Sequence, residues 1–456
     1  MMDLWAFMDS VFYELALFAG VGIALGTMAE MLVDLFALRI LVRKRAERRA
    51  RRHEAPGPPM AVNALAFAVF VPAWEEADVI GGMLDTALAS YDGDDVHIFV
   101  GCYPNDPDTP PLVRLREGSR LSLVIVDRDG GTTKAHCLNN LYRAMLTFEA
   151  RRGRLFAGIV LHDAEDVVSP REIEVFCGHI DRFGMIQLPV FPLPDPKSRW
   201  ISGHYCDEFA EAHGKTMLVR QALGAALPSA GVGCMIRRDV LAAFAERSAG
   251  TPFCEDSLTE DYELGLRMRD MGFTSAFIEE ADDGEPGFVC TRAYFPSRLR
   301  DAVKQKARWM AGIGLDGWSR LGWGSGWAEV WMRARDRRGL TAALLLLAAY
   351  LTLLLALVLV GARLREGRSL PVPQGFLASL LSFNAATLIW RLSMRYFYTG
   401  RFYGYGKALI AIPRVVIGNL IAILASIRAV GLHVASLRSG RVHWDKTQHI
   451  FPQNTP

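Results

Sequence analysis

The stretch GLTAALLLLAAYLTLLLALVLVG, residues 339–361, carries no charged residue from end to end. About 20 apolar residues are enough to cross a bilayer, and a backbone in hydrocarbon must pair its own N–H and C=O groups, so this run has to be a helix. It makes the chain a membrane protein. Hydrophobic residues are 51% of the 456. The excess gathers toward the two ends and leaves a middle long enough for a large catalytic domain. The formal net charge of +2 is too balanced to suggest a nucleic-acid partner. The seven cysteines all lie in the middle and none forms a C-x-x-C pair. Neither a zinc site nor a disulfide framework is suggested, and reduced thiols in a cytoplasmic domain is the simple reading.

Residues 15–42 are also long enough to span, and the basic run RKRAERRARR (43–52) follows at once. A cleavable signal peptide has its charge first and ends in small residues, so residues 1–42 read as an anchor with everything after residue 43 in the cytoplasm. Glu30 and Asp34 share one helical face of it. They either face protein or water, or lie at the interface beside the arginines. Residues 43–59 read as a basic linker, 60–294 as the soluble domain, 295–338 as interfacial helices, and 339–398 as two transmembrane helices. The second of these closes on Arg391 and Arg395. The apolar stretch 405–437 carries Pro413, Arg414, Asn419, Arg428 and His433. It is either a third crossing or an amphipathic pair in the interface, and the interface is favoured. Arg438, Arg441 and Lys446 put the tail through residue 456 on the cytoplasmic side. There it is expected to fold back toward the catalytic cleft, with His443, Trp444 and His449 of the kind that line sugar sites; a disordered tail is the alternative.

Within the soluble region, apolar runs at 65–71, 96–101, 121–126 and 157–161 alternate with helical patterns, the clearest at 133–151. That alternation predicts an α/β domain with a mainly parallel sheet covered on both faces. Ligands of such sheets sit beyond the carboxyl ends of the strands. PAWEE (72–76), YPNDPD (103–108) and DAED (163–166) therefore fall on one rim.

Four local signals stand out. Asp163, Glu165 and Asp166 follow an apolar strand directly, as a solvated turn or as a divalent-cation site. Lys134 follows a Gly-Gly turn at a helix start, suited to a phosphate, although an exposed first-turn lysine looks the same. Glu260 and Asp261 follow Thr259 at another helix start, where acids are also favoured simply by the helix dipole. Gln305, Arg308 and Trp309 share one helical face, which would equally suit a helix lying at the membrane surface.

Taken in order, Asp163-Ala164-Glu165, Thr259-Glu260-Asp261 and Gln305-x-x-Arg308-Trp309 followed by membrane helices resemble the membrane-embedded glycosyltransferases of family 2. The runs FVPAWEEADVI, YPNDPDT, HDAED, LTEDYELGLR and WDKTQH resemble most the NfrB-like inner-membrane group named from phage adsorption. That group often carries a further C-terminal domain that binds cyclic-di-GMP, and this sequence runs to Pro456.

The resemblance implies a GT-A fold (Rossmann-like, mainly parallel sheet) and an inverting, metal-dependent transfer from a nucleotide-sugar, taken as a UDP-sugar, to a growing polysaccharide. Transfer of one sugar to a polyprenyl-phosphate lipid and a non-catalytic membrane scaffold of a surface receptor are the rival readings. It assigns Asp261 as general base with Glu260 beside it, and Glu76, Asp106, Lys134 and Asp163 to the nucleotide-sugar. Gln305, Arg308 and Trp309 go to the acceptor and diphosphate. Asp163 and Glu165 take Mg²⁺ or Mn²⁺, since oxygen ligands suit a hard cation. The second acid of the family's D-x-D is Glu165 here, with Asp166 adjacent. The implied partners are the lipid bilayer, a glycan acceptor, an outer-membrane export or receptor partner, and further copies of the chain.

Overall fold

The structure, a computed structural model, describes residues 4–51, 65–282, 287–369, 372–439 and 449–452. The Pro-rich part of the expected linker, and Arg441, His443, Trp444 and Lys446 of the tail, lie outside the described residues.

The chain opens with α1 (Leu4–Arg51), then β1 (Phe67–Pro72), α2 (Ala77–Ser90), β2 (Val96–Cys102), α3 (Thr109–Arg114), β3 (Leu121–Ile125), α4 (Lys134–Arg152), β4 (Gly158–Leu161) and α5 (Glu172–Cys177). Next come β5 (Met185–Gln187), β6 (Val190–Pro192) and α6 (Ile201–Glu211), which passes through a π-helical turn at Ala212–Thr216 into α7 (Met217–Ala222). β7 (Cys234–Arg237), α8 (Arg238–Arg247), α9 (Glu260–Asp270), β8 (Ser275–Phe277) and β9 (Thr291–Ala293) complete the soluble domain. α10 (Leu299–Ala311) leads through a second π-helical turn, Gly312–Asp316, to α11 (Gly317–Leu321) and α12 (Trp327–Arg337). The chain ends in α13 (Gly339–Arg365), α14 (Gly375–Tyr403), α15 (Tyr405–Ala408) and α16 (Ala411–Ser439).

Seven strands form one sheet in the order β3-β2-β1-β4-β7-β5-β8. β1 pairs parallel with β2 and β4, whereas β7 runs antiparallel to both its neighbours. Alternate residues of β1 explain why its sequence is apolar throughout. Ala68 and Phe70 pack under α4 and α8, while Phe67, Val69 and Val71 pack under α2 and α5. A strand buried on both faces has no polar side to show. The four strands expected from the apolar runs are β1 to β4. The short β5 to β9 carry too few residues for a periodic signal. β6 and β9 form a separate parallel pair beside the main sheet.

α1, α13, α14 and α16 are long and apolar enough to cross a membrane. The basic run expected as the start of a linker instead continues α1 to Arg51. Lys, Arg, Ala and Glu are strong helix formers, Arg43 pairs with Glu47 one turn on, and Lys44 reaches Glu279 of the soluble domain at 2.8 Å. Glu30 and Asp34 face protein. Asp34 is fully buried and accepts hydrogen bonds from Lys215 Nζ at 2.8 Å and Trp390 Nε1 at 2.9 Å. Glu30 pairs with Arg335 and Arg338.

The 405–437 stretch holds one short turn of helix, α15, and one long helix rather than an amphipathic pair of comparable length. From Ala411 it is one continuous helix, because Pro413 falls in the first turn, where a missing N–H costs nothing. One side of α16 packs on α10 through Ile421, Ala425 and Ala429. Val416, Leu420, Leu424, Ile427, Val430, Val434 and Leu437 are exposed along the other. Near its two ends Arg414 bonds Asp207 on α6, and His433 meets Asp316 at 2.5 Å.

Candidate active site

The carboxyl ends of β1, β2 and β4 open onto a cavity of about 180 Å³. The cavity is closed from the opposite side by the start of α9 and by α10. Glu76, Lys134, Asp163, Glu165, Glu260, Asp261, Gln305, Arg308 and Trp309 all line it. Residues up to 233 positions apart in sequence are thus gathered around one space.

Asp106 is the exception among the expected residues, and that expectation is corrected. It is buried and does not line the cavity; its carboxylate accepts the backbone N–H groups of Glu75 (2.5 Å), Thr109 (3.1 Å) and Asp108 (3.2 Å). A short acid after a strand satisfies orphan turn donors in this way. It also holds Glu75 at φ +52°, a left-handed conformation rare for a residue with a side chain. That bend delivers Glu76 to the cavity.

The three acids after β4 divide their work. Asp166 turns inward, and His162, fully buried, lies between its Oδ2 (3.0 Å) and Glu172 Oε1 (3.0 Å). Burial alone would lower the His162 pKa, but the two carboxylates raise it to about 10. Asp166 also accepts the backbone N–H of Asp163 at 2.9 Å. It therefore shapes the turn, while Glu165 turns its carboxylate toward Glu76 and the tail within the cavity. Asp163 meets Lys134 Nζ at 2.5 Å, and the same ammonium donates to Gly231 O at 3.2 Å. Burial opposes the charge on Lys134, yet Asp163, Glu260 and Asp261 together raise its pKa. The acid-and-lysine pair is a ready counterion arrangement for a diphosphate.

His449, from the tail, enters the same space. Its Nδ1 lies 3.1 Å from Glu76 Oε1 and 3.4 Å from Glu165 Oε2. One donor atom from each of these three residues lies within 4.8 Å of the others. Burial pushes the Glu165 pKa upward, and Glu165 and Glu76 raise that of His449 to about 9 against the opposing effect of burial. Two carboxylates and an imidazole competing for protons in one buried spot suit a divalent cation that would displace those protons. Among the described residues Glu165 thus has Glu76 and His449 beside it, while Asp163, expected with it as a metal ligand, is engaged by Lys134. At His449 the tail lies in the cleft, as the sequence reading expected; its pairing with Glu76 and Glu165 is what no spacing reveals.

At the start of α9, Thr259 makes no side-chain cap. Asp261 Oδ1 accepts the N–H of Tyr262 at 2.7 Å. Its other oxygen lies against Gly231, whose φ is +76°, and a Cβ there would fall 2.4 Å from it. Burial, opposed by Lys134, raises the Asp261 pKa. Burial and then Asp261 raise that of Glu260. The base candidate is therefore held half-buried in a tightly bounded position, its carboxylate less acidic than usual. Helix capping alone accounts for neither feature.

The far end of the cavity is aromatic. Trp309 is joined there by Phe209 of α6 and by Tyr294 and Phe295, which the sequence did not single out. Phe209 sits 4.9 Å from Phe295 and 6.4 Å from Trp309, centroid to centroid.

The profile of the family described as glycosyltransferase like family 2 matches residues 64–312, which span the whole sheet and all three motifs. The chain belongs to glycosyltransferase family 2. The fold is the GT-A arrangement that the motifs implied, and the transferase is similar to bacteriophage adsorption protein B of Escherichia coli (strain K12). The two are 37% identical over 412 residues, covering 85% of this chain and 55% of that one. The same figures hold for bacteriophage N4 adsorption protein B of Escherichia coli O157:H7. The chain thus spans about half the length of the curated relatives it matches. Among solved structures, the mannosyltransferase PcManGT from Pyrobaculum calidifontis, in complex with GDP-Man and Mn²⁺, is 18% identical with a TM-score of 0.49. That match covers 90% of this chain and 98% of that one. Glucosyl-3-phosphoglycerate synthase from Mycobacterium tuberculosis, in complex with Mn²⁺, UDP-glucose and phosphoglyceric acid, is 15% identical with a TM-score of 0.38, over 60% of this chain and 88% of that one.

Proposed function

We propose that the transferase moves a sugar from a nucleotide diphosphate sugar, UDP-linked, to a growing glycan at the cytoplasmic face of the inner membrane, inverting the anomeric centre. The observation that carries this reading is the convergence of the Lys134–Asp163 pair, the Glu76/Glu165/His449 group, Asp261 and Gln305/Arg308/Trp309 on one cavity.

Glu165, Glu76 and His449, with Asp163 at the edge, would hold Mg²⁺ or Mn²⁺, which as a Lewis acid would neutralise the leaving diphosphate. Lys134, already between Asp163 and the α9 acids, meets the diphosphate oxygens as a point charge. Asp261 accepts the proton as the acceptor hydroxyl oxygen bonds to the anomeric carbon and the bond to the diphosphate oxygen breaks. Attack from the face opposite the leaving group inverts the configuration. Incubating membranes with radiolabelled UDP-sugars and Mg²⁺ or Mn²⁺ should put label into polymer. No incorporation from any UDP-sugar would sink the proposal.

Its membrane seat follows from α16. Arg414 and His433 are ~28 Å apart at 1.5 Å per residue, yet both are bonded to the soluble domain and its flanking turn. A helix fastened near both ends to one domain lies along it, with the exposed apolar stripe in the lipid interface. A cysteine at Leu437 should resist a membrane-impermeant thiol reagent in intact cells and react once the membrane is opened. Labelling in intact cells would make α16 a crossing helix.

A further inference from the structure

Asp261 is held between two segments. Its Oδ1 accepts the Tyr262 N–H within α9, and its other oxygen lies against Gly231, in the segment that runs from Ala226 toward β7. α9 meets that segment backbone to backbone, since a Cβ on Gly265 would fall 2.5 Å from both Leu227 O and Ser229 N. A base between two walls keeps its place while both walls keep theirs.

One carboxylate reaches both walls. Asp336 of α12, which does not line the cavity, accepts the Tyr262 hydroxyl on Oδ2 at 2.8 Å. Arg220 of α7 bonds the same carboxylate through Nη1, at 2.8 Å to Oδ1 and 2.7 Å to Oδ2. The Nε of that guanidinium donates to Ala226 O at 2.8 Å. Tyr262 is the residue after the base, and Ala226 opens the segment that leads to Gly231. Burial and then the Asp336 charge raise the Tyr262 pKa, so its hydroxyl keeps the proton it donates. Arg220 is 1% exposed, and a charge so deeply buried needs a fixed counterion.

α12 is a firm mount for this carboxylate. Arg335, next to Asp336, pairs with Glu30 of α1 at 2.8 Å, and Arg338 pairs with the same acid. Arg320 of α11 bonds Glu263 at 2.9 Å, and Arg333 bonds Asp270 at 3.2 Å. Those two hold the body of α9; the Asp336 contact falls on the residue beside the base. Successive helix positions differ by a fixed rise and rotation, so pinning Tyr262 sets where Asp261 points. We infer that Asp336 is the positioning residue for the base: through Tyr262 and Arg220 it fixes both walls that hold Asp261. It touches neither donor nor acceptor. This rests on the reading of Asp261 as general base given above and adds a residue to it.

The test uses membranes carrying the full chain, Mn²⁺ and radiolabelled UDP-glucose, UDP-galactose or UDP-N-acetylglucosamine. Initial rates are divided by the number of UDP-binding sites, so that unfolded chains do not count. Tyr262→Phe keeps the ring and the Arg220–Asp336 pair and loses one hydrogen bond. Its kcat should fall about 3- to 30-fold, since a reacting group displaced by about 1 Å can cost about 10²-fold. Donor KM should stay within about twofold of the parent, because the donor's contacts are untouched. Asp336→Asn also takes the carboxylate from Arg220 and should lower kcat further, by about 10- to 100-fold. In the Asp261→Asn background neither substitution should slow transfer again, because a group that acts through the base has nothing left to act on. Equal losses in both backgrounds, or a parental kcat in Tyr262→Phe, overturn the inference and leave the base in place. Should Asp336→Asn not fold, Tyr262→Phe in the two backgrounds decides the matter. Parental turnover in Asp261→Asn removes the base reading and the inference with it, and no incorporation from any of the three donors removes the transferase reading as well.

Discussion

The two ends of the cavity are built from different materials. The end proposed for the donor carries its charge locally: Glu76, Lys134, Asp163 and Glu165 each sit within a few residues of a strand or helix terminus on the sheet rim. The end proposed for the acceptor is aromatic. Phe209 comes from α6, Phe295 from the segment after β9, whose Arg292 bonds Val167 beside the rim, and Trp309 from α10; the Glu208–Lys306 and Asp207–Arg414 ion pairs tie α6 to α10 and α16. Charge is what a diphosphate needs, and strand ends supply it with backbone already in place. A sugar ring offers C–H faces and hydroxyls, and binding both requires walls that only packed helices provide. Asp261 stands between the two ends, next to Lys134 on one side and the aromatic end on the other.

The comparison would break first at Asp261. Asp261→Asn should lower transfer by about 10²–10⁴-fold, the usual cost of losing a general base, with nucleotide binding nearly unchanged. Turnover near that of the parent would leave Asp261 a helix-start residue only. Next in size, Asp163→Ala and His449→Ala should weaken Mn²⁺-dependent UDP binding by about tenfold or more, as is typical when the groups around a metal are removed. Glu165→Asp should be partly tolerated. A Mn²⁺ titration of UDP binding reads this, and unchanged metal dependence would return the acids after β4 to a solvated turn.

The pH profile sharpens the same contrast. Burial raises the Asp261 pKa, and a base must be unprotonated to act. Transfer should therefore fall as pH drops through a value above the usual carboxylate of about 4, a limb that the raised Glu165 and Glu260 share. An acid limb at or below pH 4 in kcat/KM would mean that Asp261 is solvated in solution. The smallest effect belongs to the acceptor end. Lys306→Met should raise the acceptor KM about 2- to 5-fold, the scale of a partly buried ion pair, without changing donor hydrolysis. A matching loss of hydrolysis would show that the two ends are not separable.

The sequence by itself determined the long apolar helices, the four parallel strands and most of the charged cavity lining. Each of these is written locally: an uncharged 23-residue run, an apolar strand buried on both faces, or an acid at a strand end. The residue it misplaced and the pairings it left unread share a different property. Asp106 lies on the predicted rim, but whether a rim carboxylate faces the ligand or ties down its own turn depends on which N–H groups the fold leaves unpaired. Asp166 and Glu165 are neighbours, and only the position of His162 and Glu172 decides which one turns inward. His449 meets Glu76 across 373 positions, and Phe209 meets Trp309 across 100. Such pairings have no period and no spacing to read. They exist because helices and a tail close over the sheet, and only the tertiary structure specifies that closure.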